Sequence, residues 1–196
     1  MKNVFFLPWE GAESATGGIF GKRILVLGES HYCQDHDAPT ENLTREAVEK
    51  YLAGEYIQSF KLFEQSLVGA KTDMSQRRQI WDSLLFYNFV QNPLGETPRQ
   101  KLAVDNPDRS TDAFFEVLEE HRPQYIIAWG YRLWDKAMPT KRWTWGDEIV
   151  IEGLPPIKFG YYTLADGTRV KAVPVKHPSA GYSWSKWHQF IEQFLK

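Results

Sequence analysis

Cysteine is nearly missing from this chain: Cys33 is the single one in 196 residues. No internal disulfide can form, and no four-cysteine metal or iron–sulfur site can be built. No stretch reaches the ~20 apolar residues of a membrane span. The opening MKNVFFLPWEGAES carries one lysine and a four-residue apolar run, too short for a secretory signal. The expected location is therefore the cytoplasm, with no membrane partner. Repeats, low-complexity tracts and long Pro/Gly-rich linkers are also lacking. That leaves one domain over residues 1–196, long enough to bury a sizeable core. Net charge is only −2, which argues against a general nucleic-acid binder.

Aromatics, by contrast, are plentiful: 15% of residues, including eight Trp. They suit a core, and they also suit stacking on a flat ligand. Charge is unevenly spread. Residues 1–120 hold 12 Lys+Arg against 19 Asp+Glu, and residues 121–196 hold 11 against 6. A basic last third could face phosphates, whereas the acidic remainder reads as solvated surface.

Apolar runs closed by glycine or a polar residue mark buried strands at 23–28, 83–90 and 124–130. Helical spacing from Thr44 to Leu67, broken near Gly54, predicts two helices. Ser110 or Thr111 is placed to cap a helix over 112–121. A short helix is expected around Leu133–Ala137. Asp166-Gly167 signals a hairpin within 160–175. Trp184, Trp187, Ile191, Phe194 and Leu195 keep the rhythm of a last amphipathic helix. Strands alternating with helices predict an α/β layered domain with a mostly parallel central sheet. Ligands in such sheets bind beyond the carboxyl ends of the strands. GESHY, NFVQNP and HPSAGY lie at such ends, and their polar residues are expected to converge on one crevice.

Two chemistries fit those loops. Gly28-Glu29-Ser30 after a strand resembles the opening block of the GDSL/SGNH esterases, with Ser30, Asn88 and His177 as a candidate trio. A nucleophilic serine needs a base within hydrogen-bond reach and a carboxylate to orient that base. The esterase family places an aspartate three residues before its histidine, and here Pro174 stands there. Taken singly, Ser30-His31 also reads as an ordinary strand-end turn, and His177 as a structural histidine. Asn88 inside an apolar run is more telling. A buried amide left unpaired costs about 1–3 kcal/mol, so it must meet a ligand or a neighbouring backbone.

Four segments in order, ILVLGESHY, LLFYNFVQNP, YIIAWGYRLWDKA and VPVKHPSAGYSWSKW, resemble the uracil-DNA glycosylase superfamily over roughly residues 23–196. The resemblance implies a three-layer α/β/α sandwich with a short, mostly parallel central sheet. It implies hydrolysis of the N-glycosidic bond of a deaminated or damaged base, reached by base flipping. In those terms His177 stabilises the departing base anion, Glu29 positions or activates water, and Ser30 assists. Asn88 reads the base, Tyr32 walls the pocket, His31 and Gly28 shape its floor, and Ser179 with the Gly181 backbone holds a phosphate. No metal or organic cofactor is implied. The expected partner is DNA or a nucleotide or nucleobase ligand, bound by a monomer. The chain also departs from the family. Ser30 stands where the best-known branch has aspartate, His31 where several branches have proline, and Tyr182 near the usual wedge. The alternatives are a non-catalytic nucleotide- or nucleic-acid-binding member of the fold, or the Ser30 esterase.

Overall fold

The computed structural model describes residues 1–31, 39–92, 107–179 and 181–196. Its strands are β1 (Trp9–Glu10), β2 (Ile24–Gly28), β3 (Leu84–Asn88), β4 (Tyr125–Trp129), β5 (Trp143–Ile149), β6 (Ile157–Thr163) and β7 (Arg169–Val175). Its helices are α1 (Leu43–Leu52), α2 (Gln58–Val68), α3 (Met74–Asp82), α4 (Pro107–His121), α5 (Tyr131–Lys136) and α6 (Trp184–Phe194). One seven-stranded sheet runs in the order β1-β3-β2-β4-β7-β6-β5.

The sheet is mixed, which corrects the expectation of a mostly parallel one. Its centre, β3-β2-β4-β7, is parallel throughout. Its margins are antiparallel: β1 on β3, and the β5-β6-β7 meander. A connection as short as the Asp166-Gly167 turn can only reverse the chain, so β6 and β7 must oppose one another.

Every residue of β2 and β3 is buried, because helices cover both faces. Ile24, Val26, Leu84, Phe86, Ile127 and Trp129 face α1, α2, α3 and α6. Leu25, Leu27, Leu85, Tyr87 and Ile126 face α4 and α5. This strict alternation is the period of two that a strand imposes. The first face is dominated by rings. Phe60 stacks on Trp81 with centroids 4.6 Å apart and meets Phe86 and Trp129 edge-on at 5.3 and 5.7 Å. Helix α2 is further held by the buried carboxylate of Glu64, paired with Lys61 at 3.1 Å and Arg77 at 3.8 Å.

Three elements differ from the sequence reading. Helix α4 starts at Pro107, so Ser110 lies inside it, where its hydroxyl accepts from the Gln91 N–H at 3.2 Å. The turn-rich look of the preceding stretch hid that first turn. Helix α3 was not anticipated, having only Ile80 and Trp81 as large buried apolar residues. Its signal was the capping box of Asp73 and Gln76, each side chain bonded to the other's backbone N–H. Strand β5, Trp143–Ile149 at the edge of the sheet, has no counterpart among the strands expected from sequence. Among the described residues no helix is long and apolar enough to cross a membrane.

Candidate functional site

The four central strands point their carboxyl ends the same way, and the loops that follow them enclose a cavity of about 580 Å³. The order β3-β2-β4-β7 reverses direction between β2 and β4, which is where an open α/β sheet leaves a crevice. Helices α1 and α2 close the outer side through Ala47, Ser59 and Phe60, and Phe86 and Trp129 supply aromatic walls from the sheet.

Backbone pairing continues beyond the strands and fixes the first loop. Phe89 N–H donates to the Gly28 carbonyl at 3.0 Å, and Val90 N–H to the Glu29 carbonyl at 2.9 Å. Gly28 lies opposite Asn88 in the β2–β3 register. A Cβ at position 28 would fall inside the envelope of Asn88 Oδ1, so glycine there is what gives the amide its place. Asn88 Nδ2 donates to His31 Nε2 at 2.9 Å, and that nitrogen also lies 2.8 Å from Thr44 Oγ1. The ring of Phe6 backs His31 edge-on at 4.8 Å. Burial pushes the His31 pKa down to about 4, so the imidazole is neutral at pH 7 and its bare Nε2 accepts the amide hydrogen.

Glu29 enters beside Asn88 with its side chain 12% exposed, held by Arg132 from the start of α5. Arg132 Nε donates to Glu29 Oε2 at 2.9 Å, and Nη2 donates to Oε1. Such a two-point fork fixes the plane of the carboxylate as well as its place. Arg132 was not among the residues singled out by sequence. Its signal was a cation two residues past the Trp129-Gly130 strand end.

His177 follows β7 across the cavity. The turn at Gly130, with φ of +99°, lets α5 start directly after β4. A Cβ there would make only ordinary contact with His177 Cβ, at 3.5 Å, so the positive φ is what calls for glycine. Ser179 N–H donates to the His177 carbonyl at 2.7 Å, which folds Ser179 back onto the cavity wall. His177 is exposed at the edge of the cavity; partial desolvation still lowers its pKa, the Glu29 carboxylate opposes that and the Arg132 guanidinium adds to it. His177 is thus a neutral imidazole near pH 7, able to donate from one ring nitrogen.

Of the residues chosen from sequence, Gly28, Glu29, Ser30 and His31 line this cavity together with Asn88, His177 and Ser179. Tyr32 lies outside the described residues. Ser30 Oγ is buried and makes no hydrogen bond among the described residues. The serine–histidine bond that an esterase needs is therefore not formed. The Trp129 Nε1–H, likewise buried and unpartnered, belongs to the same wall.

Tyr182 is not a wedge. It is buried, its ring lies nearly parallel to Trp187 at 5.6 Å, and its hydroxyl donates to Ser66 Oγ at 3.0 Å. Tyr182→Phe is expected to cost about 0.5–1.5 kcal/mol in urea denaturation and to leave ligand affinity at the cavity unchanged. A larger change in affinity than in stability would return Tyr182 to the site.

No protein-family model matches the chain, and no curated protein matches it. The cavity combines aromatic walls with a fixed carboxylate, a bonded amide and an imidazole.

Proposed function

We propose that the cavity holds a nucleobase and hydrolyses its N-glycosidic bond, as a divergent member of the uracil-DNA glycosylase superfamily with its three-layer α/β/α fold. DNA or a nucleotide carries the base. The observation that carries this reading is the meeting of Glu29, Asn88 and His177, from three parallel strand ends, around one aromatic-walled cavity.

Each group then has a task. The base lies against Phe60, Phe86 and Trp129, where stacking favours any flat ring. Asn88, oriented by His31, reads its edge. The carboxylate of Glu29 faces the sugar carbon as positive charge develops there, and it keeps lone pairs for a water beyond those given to Arg132. The water oxygen bonds to C1′ while its proton passes to Glu29. The C1′–N bond breaks, and its electron pair leaves on the base. His177 donates a hydrogen bond to the base carbonyl that gains this charge, and the base takes its proton from solvent. A preorganised donor aimed at developing charge is commonly the largest catalytic contribution.

The test uses wild-type protein with end-labelled single- and double-stranded oligonucleotides holding one uracil, hypoxanthine or xanthine. The matching nucleosides and 5′-monophosphates are run in parallel, with free base as the readout and Glu29→Gln as control. Release of base that falls in the variant supports hydrolysis. No release from any of them ends it.

A second reading, binding without hydrolysis, is favoured by one observation. Both carboxylate oxygens of Glu29 are engaged by Arg132. Binding without base release would be its signature.

A further inference from the structure

We infer that His31 is a positioning residue for specificity: acting through Asn88, it makes the cavity accept a lactam edge, a ring N–H beside a carbonyl, and refuse the reversed amidine edge. This rests on the nucleobase reading of the cavity and deepens it, since it assigns the choice between bases to a residue that works through its neighbour.

A carboxamide presents an acceptor and a donor in a fixed order, and turning it end for end reverses that order. Uracil and hypoxanthine carry N–H and then C=O on their pairing edge, whereas cytosine and adenine carry a bare nitrogen and then N–H. One orientation of Asn88 therefore matches the first two bases and the other matches the second two. Nothing within the side chain prefers either.

His31 removes that freedom. Asn88 Nδ2 lies 2.9 Å from His31 Nε2, while His31 Nδ1 stands at 3.4 Å, too far to compete. A carboxamide nitrogen only donates, so in this buried, neutral ring Nε2 is the bare nitrogen and the proton sits on Nδ1. Thr44 Oγ1, fully buried and 2.8 Å from the same bare nitrogen, donates to it as well. Turning the amide would set Oδ1 against that lone pair, two acceptors with no hydrogen between them. At its other end Oδ1 rests against Gly28, where an oxygen meets Cα–H and an NH₂ group would waste a donor. Among the described residues no donor reaches Oδ1, and Asn88 and Gly28 both line the cavity. The acceptor is thus left for a ligand N–H, with the second Nδ2 hydrogen left for a carbonyl.

Residues ahead of β2 brace the pair from behind. The Phe6 ring, fully buried, meets His31 edge-on at 4.8 Å. Gln91 Oε1 accepts from the Phe5 N–H at 2.8 Å and the Phe6 N–H at 3.0 Å, and Gln91 Nε2 donates to the Asn88 carbonyl at 2.9 Å. Phe6, His31, Asn88 and Gln91 thus close a ring of contacts, and neither imidazole nor amide can swing without breaking it.

The experiment is calorimetric titration of the full chain with uracil, cytosine, hypoxanthine and adenine, each methylated at its glycosidic nitrogen so that nothing can be hydrolysed. Single-stranded heptamers holding one of each base are run beside them. Wild type is compared with His31→Gln and with His31→Gln combined with Asn88→Asp. Wild type is expected to favour uracil over cytosine, and hypoxanthine over adenine, by at least about tenfold, the scale of one hydrogen bond exchanged for two facing acceptors. A glutamine at 31 can donate or accept, so the Asn88 amide turns and each preference should fall to within about threefold. An aspartate at 88 has no donor end to turn, so the double variant should regain part of the preference, which a merely structural role for His31 does not predict. The imidazole nitrogen resonances of wild type, read by NMR at pH 7, should show Nε2 bare and Nδ1 protonated. Both wild-type measurements stand if a variant fails to fold. Equal binding within each pair of bases by wild type would overturn the inference and leave the nucleobase reading standing. So would a preference that survives in His31→Gln, or a proton found on Nε2. Failure of every base to bind wild type would remove both.

Discussion

His177→Ala is expected to slow base release about a hundredfold, the scale seen when one preorganised donor to a developing anion is removed. The ring follows β7 directly, is positioned by the Ser179 turn, and faces Glu29 and Arg132 across the cavity. Its neutral form matters. A cation there would bind an anionic product too firmly, whereas a neutral N–H strengthens its bond only as charge appears. The loss should therefore fall on kcat, with KM changed little. His177→Gln, which keeps a donor, should recover part of the rate. A variant with unchanged kcat would show that the departing base is stabilised elsewhere.

His31 governs a second large effect, this time on stability. Above pH ~6.5 the imidazole is neutral in both folded and unfolded chains, so it makes no pH-dependent difference. As pH falls below that value the unfolded chain takes up a proton first. The folded chain resists until about pH 4, the value to which burial lowers His31. Stability is thus full above ~6.5 and declines down to about pH 4, by as much as about 3 kcal/mol, then levels off. Urea denaturation between pH 7.5 and pH 4 reads this slope. His31→Gln, which keeps polar atoms near Asn88 and Thr44, should flatten it. Equal slopes for wild type and variant would mean that the folded protein protonates His31 freely. The cost is borne at the cavity residue Asn88, since a protonated Nε2 can no longer accept from Asn88 Nδ2.

Much of this was legible in the sequence, for identifiable reasons. Strands buried on both faces, such as ILVLG and LLFYN, announce themselves by unbroken apolar runs, and the parallel centre follows from the helices between them. The site residues were readable because polar side chains directly after such runs have one destination, the carboxyl edge of the sheet. What escaped notice is equally specific. Helix α3 buries few apolar side chains, so its capping box outweighed its periodicity. Strand β5 lies at the sheet margin with most of its side chains open, where alternation carries little burial signal. Arg132 was hidden because its role depends on Glu29, 103 residues away in sequence. An ion pair across that distance leaves no local pattern. The wedge reading of Tyr182 failed because Ser66 and Trp187, from two different helices, draw it inward.

The close packing of Gly28 against Asn88 bears on how this pocket can diverge. The two positions share one volume, so residue 28 cannot enlarge while Asn88 stays. A chain that enlarges residue 28 must first shorten residue 88, and with it lose the amide held by His31. Conversely, once Asn88 is replaced by a smaller side chain, a methyl at 28 is tolerated and the earlier state becomes hard to regain. Gly28→Ala alone should misfold the strand end, whereas Gly28→Ala with Asn88→Gly should restore it. In relatives of this chain a residue larger than glycine at 28 is expected only beside a side chain smaller than asparagine at 88, and that order works as a ratchet on the shape of the pocket.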